Sequence, residues 1–127
     1  MPYDRNRSPV GWYVSSYLLR FVEINARGNN NPRQRFVAWE NTVLIKASSI
    51  EQAYEKVVKL GRAASKPYRG GPKRVPVRWP FEGVTELLPV YEKPEDGAEI
   101  MWAAHRPRML KTVRRLVRPK RSFRLNP

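Results

Sequence analysis

Apolar and polar positions alternate with period two from Phe36 to Ala47: Val37, Trp39, Val43 and Ile45 point one way, and Glu40, Thr42 and Lys46 the other. That spelling predicts a half-buried strand. Two residues later the period changes. Ile50, Ala53, Tyr54, Val57 and Leu60 recur at helical spacing, with Glu51, Gln52, Glu55, Lys56 and Lys59 on the rest of the wheel. Ser49 is placed to cap this helix and Gln52 to reach back and complete a capping box, and the helix is expected over about residues 50–65, with Gly61 as a C-cap or a tolerated interior glycine.

Upstream, Gly11 to Ile24 is a long strand-like run with two apolar faces, Trp12, Val14, Leu18, Val22 and Ile24 against Tyr13, Tyr17, Leu19 and Phe21. A strand apolar on both faces is central or covered twice, and a bulge can switch its alternation. Residues 25–35 are polar, aperiodic and rich in Asn, Gly and Pro, so a hairpin with a long mobile loop is expected between the two strands. Downstream, Val75, Val77, Trp79 and Phe81 alternate with Pro76, Arg78 and Pro80. Prolines cannot donate to a ladder, which predicts an edge strand. A further strand is expected over 84–91, at an edge or bulged because of Pro89. The Asp96-Gly97 pair predicts a tight turn into a short last strand, Glu99 to Ala104. Pro107 suits the first turn of a final helix, Arg108 to Val117, whose narrow stripe is Leu110, Val113, Leu116 and Val117.

These elements predict an α+β fold: a small antiparallel sheet of about four to five strands, one packed amphipathic helix and a basic C-terminal helix and tail. The expected organisation is an irregular lead-in over residues 1–10, a domain over 11–104 and the tail over 105–127. A chain of 127 residues suits one core.

Several of these pieces, in order, resemble the bacterial domain-of-unknown-function family numbered 4288. They are Gly11-Trp12-Tyr13-Val14, Trp39-Glu40-Asn41, Val43 to Ala47, the Glu51 to Gly61 helix, Trp79 to Val84 and Asp96 to Glu99. The resemblance covers roughly residues 11–100 and implies a fold and a mostly bacterial setting. It implies no activity, and the tail lies outside it.

Charge changes the picture most. The chain holds 25 Lys plus Arg against 11 Asp plus Glu, a net charge of +14, and nine of the cations with no acid lie beyond His105. These are Arg106, Arg108, Lys111, Arg114, Arg115, Arg118, Lys120, Arg121 and Arg124. A second basic element, Lys66, Arg69, Lys73, Arg74 and Arg78, flanks Tyr68 and Trp79 and is expected as a loop. Clustered Arg beside aromatics suits phosphate contact and base stacking, with Phe123 placed to stack on an unpaired base. The expected function is therefore a non-catalytic, cytoplasmic RNA-binding accessory protein of the ribosome-associated kind, with structured RNA and a large protein assembly as partners. The competing expectation is an adaptor that binds protein through its sheet edge, the tail being incidental. A solvated tail, or one lying on an anionic membrane, are plainer readings of the same cations; the stripe is short and lacks Trp, which weakens the second.

Other chemistry is sparse. Without cysteine there is no thiol centre, and with His105 as the single histidine neither a transition-metal site nor a cofactor is expected. The serines sit in no nucleophile elbow, Gly70-Gly71-Pro72-Lys73 lacks phosphate-loop spacing, and Glu92, Glu95, Asp96 and Glu99 lack EF-hand spacing. Glu40 would be a general base only if it lined a pocket; an outward-facing strand glutamate is the simpler expectation. No apolar run is long enough for a membrane span.

Overall fold

The computed structural model describes residues 4–124; Met1–Tyr3 of the lead-in and Leu125–Pro127 of the tail lie outside the described residues. Six strands and two helices follow in the order β1 (Trp12–Arg20), β2 (Val22–Glu23), β3 (Ala38–Lys46), α1 (Ile50–Ala63), β4 (Tyr68–Gly70), β5 (Val75–Arg78), β6 (Phe81–Pro89) and α2 (Leu110–Arg115). The fold is α+β, as the pattern predicts. Its strands, however, divide between two antiparallel sheets, β3-β1-β6 and β2-β5-β4, where one sheet is expected from sequence.

The division follows from two bends. The run from Gly11 breaks at Phe21, so its last residues leave β1 and pair as β2 with β5, Val22 opposite Arg78. Opposite that break, Trp79 and Pro80 separate β5 from β6; Arg20 N donates to Pro80 O, and Phe21 N donates to Val37 O. The two long segments therefore stay antiparallel through a shared corner and change partners there.

β1 is central in the first sheet, which explains its two apolar faces: Tyr13 is 0% exposed on one and Val14 1% on the other. Its register with β3 is continuous, Trp12 opposite Lys46 through Arg20 opposite Ala38. The irregularities lie against β6, between Ser16 and Tyr17 and between Leu18 and Leu19. β6 is an edge strand ending at Pro89, in keeping with its proline.

β5 corrects the sequence expectation, because it is central in the second sheet despite Pro76. The backbone of Pro76 faces β2, which has already ended there. Ile24 N still donates to Pro76 O at 3.0 Å, and the missing N–H falls where no ladder continues. The basic loop expected to lead into this strand itself pairs with it, β4 with β5, so that residues 68–78 form a β-hairpin. The 25–35 connection is also pinned: Arg20 Nη1 donates to Asn29 O at 2.6 Å and Asn29 Nδ2 to Glu23 O at 2.8 Å.

α1 begins where Ser49 Oγ accepts from Gln52 N at 3.1 Å, as the sequence predicts. Gln52 reaches one residue further back than a capping box requires, accepting from Ser48 N at 2.6 Å. Replacing Ser49 with Ala is expected to cost about 1 kcal/mol, read as a lower midpoint in thermal or urea unfolding. The helix ends at Ala63, and Gly61 lies inside it. Ala53 and Val57 are buried against Tyr13, Tyr17, Leu19 and Ile45, and Gly61 is buried against Phe81; Tyr54 and Leu60, expected in the stripe, are exposed.

Two further corrections concern the C-terminal part. The Asp96-Gly97 turn forms, with Ala98 N donating to Glu95 O, but residues 99–104 form no strand, and Glu99 N donates instead to Glu92 Oε2 at 2.6 Å. The final helix is shorter than Arg108 to Val117, spanning Leu110–Arg115 with Met109 as its cap, so Pro107 lies outside it. A 3₁₀ turn, Lys120–Phe123, follows. Among the described residues α2 buries none of its own and packs on no other helix or strand.

Candidate nucleic-acid interface

The corner between the sheets is aromatic. Phe21 and Trp79 pack at 5.2 Å between ring centroids, and Trp39 meets Trp79 edge-on at 6.4 Å. Trp79 Nε1 donates to Tyr68 OH at 2.9 Å, which fixes the Trp79 ring to the hairpin. Trp39 nevertheless remains 60% exposed and Tyr68 48%.

Trp39 is open because of how α1 lies. The residue shares the helix-side face of β3, being opposite Leu19, as its alternation predicts. A helix of 14 residues is about 21 Å long, whereas a nine-residue strand runs about 30 Å. α1 starts near the far end of β3 and leans over β6 and β1 rather than β3. The end of the sheet near Trp39 is left uncovered. A groove of about 310 Å³ results, lined by Leu19, Trp39, Asn41, Ala64 and Trp79. Past the Tyr68–Trp79 hydrogen bond a larger hollow of about 630 Å³ lies along the hairpin, among Phe21, Tyr68, Lys73 and Val77.

The hairpin carries its cations around these hollows. Lys66, Arg69, Lys73 and Arg74 are exposed, and Arg78 is half-buried on the opposite side of β5 from Val77 and Trp79. Arg74 closes the turn with φ of 49°, its N–H donating to Gly71 O and its carbonyl accepting from Arg69 Nη1 at 3.2 Å. Among the described residues one ion pair forms, Arg20 Nε to Glu82 Oε2 at 3.2 Å, so the hairpin cations have no carboxylate within 4.0 Å.

The tail is equally unneutralised. Arg106 and Arg108 precede α2, Lys111, Arg114 and Arg115 lie on it, and Arg118, Lys120, Arg121 and Arg124 follow, all exposed. Arg118 folds over the Phe123 ring at 4.9 Å and donates from Nη2 to Ser122 O at 3.0 Å. That guanidinium covers one face of the ring expected to stack on a base; Phe123 is still 64% exposed. Among the described residues no hydrogen bond or ion pair joins tail to hairpin, so the two basic elements are separate features.

Trp39 and Asn41 are absent from the residues that sequence reasoning nominates for binding. The available signal was the mismatch between a nine-residue strand and the helix meant to cover it. His105 is exposed, and Glu40 is an outward strand glutamate accepting from Thr85 Oγ1 at 2.6 Å. Among the described residues no group of acids and histidine stands close enough to hold a metal ion, and no helix is long and apolar enough to cross a membrane.

Among known proteins, the family model described as "Domain of unknown function (DUF4288)" matches residues 12–102. No curated protein and no solved structure matches the chain.

Proposed function

From the premise that the chain belongs to the DUF4288 family, whose description names no activity, we propose on its own surfaces that it is a non-catalytic RNA-binding accessory protein. The observation that carries this reading is the open Trp39–Trp79–Tyr68 corner beside hairpin cations without acidic partners. A flat base stacks on an exposed indole, and Lys and Arg on either side hold the flanking phosphates by charge. Asn41 adds an amide with both donor and acceptor to the groove wall. The tail contributes a second, sequence-indifferent grip, and its Arg-rich, Pro-punctuated composition favours a large folded RNA of the ribosomal kind.

Filter binding to a single-stranded RNA across a salt series tests the stacking step. Trp39→Ala is expected to weaken binding about tenfold, near 1.4 kcal/mol, without changing the salt slope, because an indole carries no charge. Unchanged affinity in that variant removes the aromatic corner from the site. An adaptor role draws on a different feature, the unpaired outer edge of β3. It predicts weak RNA binding insensitive to Trp39→Ala and to tail removal, with a stable protein complex recovered in pull-downs.

A further inference from the structure

We infer that a second cleft, between Arg20 and Arg78 on the side of β5 away from Trp79, is a binding site for a phosphoryl group. The cleft encloses about 220 Å³ and is floored by Val22 and Pro80, with Asn29 and Asn30 at its rim. Its polar lining is cationic and already shaped. Arg20 is held on three sides: Nε on Glu82 at 3.2 Å, Nη1 on Asn29 O at 2.6 Å, and its plane over the Phe36 ring at 4.6 Å. Those contacts take the Nε and Nη1 hydrogens from opposite sides of the guanidinium, and among the described residues Nη2 donates to no acceptor.

Arg78 is the unfinished half. Its Nε is buried and has no hydrogen-bond partner among the described residues, and no carboxylate lies within 4.0 Å of it. A guanidinium stays charged at any physiological pH, so it cannot relieve the deficit by losing a proton. A buried donor without an acceptor costs free energy, and turning the Arg78 fork onto an anion in the cleft recovers it.

The donor arrangement selects the class of anion. One arginine fork satisfies a carboxylate's two oxygens, and the carboxylate of Glu82 already occupies the Nε edge of Arg20. Donors from two separate arginines and the Asn30 amide suit a tetrahedral group with three or more acceptor oxygens. Such a group comes either from an RNA backbone or from free phosphate or a phosphomonoester. The first source rests on the RNA reading above; the second does not.

Titration of the ¹⁵N-labelled full chain, following the arginine Nε–Hε signals at constant ionic strength, separates these cases. Inorganic phosphate is expected to shift the Arg78 signal saturably, and Arg78→Gln to weaken the response seen at Arg20 at least tenfold while the backbone spectrum stays folded. Arg78→Lys, which keeps the charge without the fork, is expected to recover only part of it. A single-stranded RNA that shifts the same signal and is displaced by phosphate identifies a backbone phosphate. A phosphate response with no RNA binding anywhere on the protein leaves this site standing as a small-anion site and removes the RNA reading. No saturable shift of Arg78 with phosphate or RNA overturns the inference.

Discussion

A chain ending at His105 is expected to bind RNA at least about a hundredfold more weakly than the whole protein at 100 mM salt. Its affinity should also respond far less to salt. Removal of residues 106–127 takes nine of the 25 cations and no acid, lowering the net charge from +14 to +5. Each phosphate contact on a single strand contributes about 0.7 to the slope of log affinity against log salt, so nine engaged cations account for a slope change of about six. The fold should survive the cut, because α2 buries nothing and packs on no other element. Circular dichroism and melting temperature are therefore the controls, and filter binding from 50 to 200 mM salt is the measurement. The hairpin's Lys66, Arg69, Lys73 and Arg74 remain in the shortened chain and should retain a shallow salt dependence. A shortened chain with full affinity and an unchanged slope would show that the tail contacts no RNA.

What sequence reasoning recovers here depends on how local the cause is. Ser49 and Gln52 act across three residues, so the start of α1 is legible, and the two-faced β1 announces its central place through Tyr13 and Val14. The second sheet was hidden because its cause is a corner shared by segments more than 50 residues apart. Pro76 and Pro80 read as edge signals, and nothing in their own neighbourhood says that β2 ends just where Pro76 lacks its donor. The strand expected over 99–104 fails for a related reason. Its spelling suits a strand, but Glu92 takes the Glu99 N–H before any ladder does. Trp39 combines both lessons: its face was legible, whereas its exposure depends on the length and tilt of α1. The basic tail needed no structure, since charge is a property of composition.

The tilt of α1 has an identifiable cause, and a single methyl group tests it. Gly61 is buried in the helix with the Phe81 ring of β6 lying directly on its backbone, so that a Cβ there would stand 2.5 Å from Phe81 Cε2. Replacing an interior helical glycine with alanine ordinarily raises stability by about 0.5–1 kcal/mol. Here the sign should reverse. Phe81 cannot easily yield, being paired opposite Leu19, tilted against Tyr17 at 6.3 Å and packed against the core cluster. Overpacking of this kind costs about 1–3 kcal/mol, so Gly61→Ala is expected to lower the melting temperature by several degrees. In a Phe81→Leu background the same change should become neutral or stabilising, which a double-mutant cycle reads directly. Because this contact draws the C-terminal half of α1 toward β6, it is also what leaves Trp39 uncovered beside Ala64. Gly61→Ala should accordingly perturb the indole fluorescence of the corner along with stability. A stabilising Gly61→Ala in the otherwise unchanged protein would mean that the ring does not rest on the helix and that the groove at Trp39 has another origin.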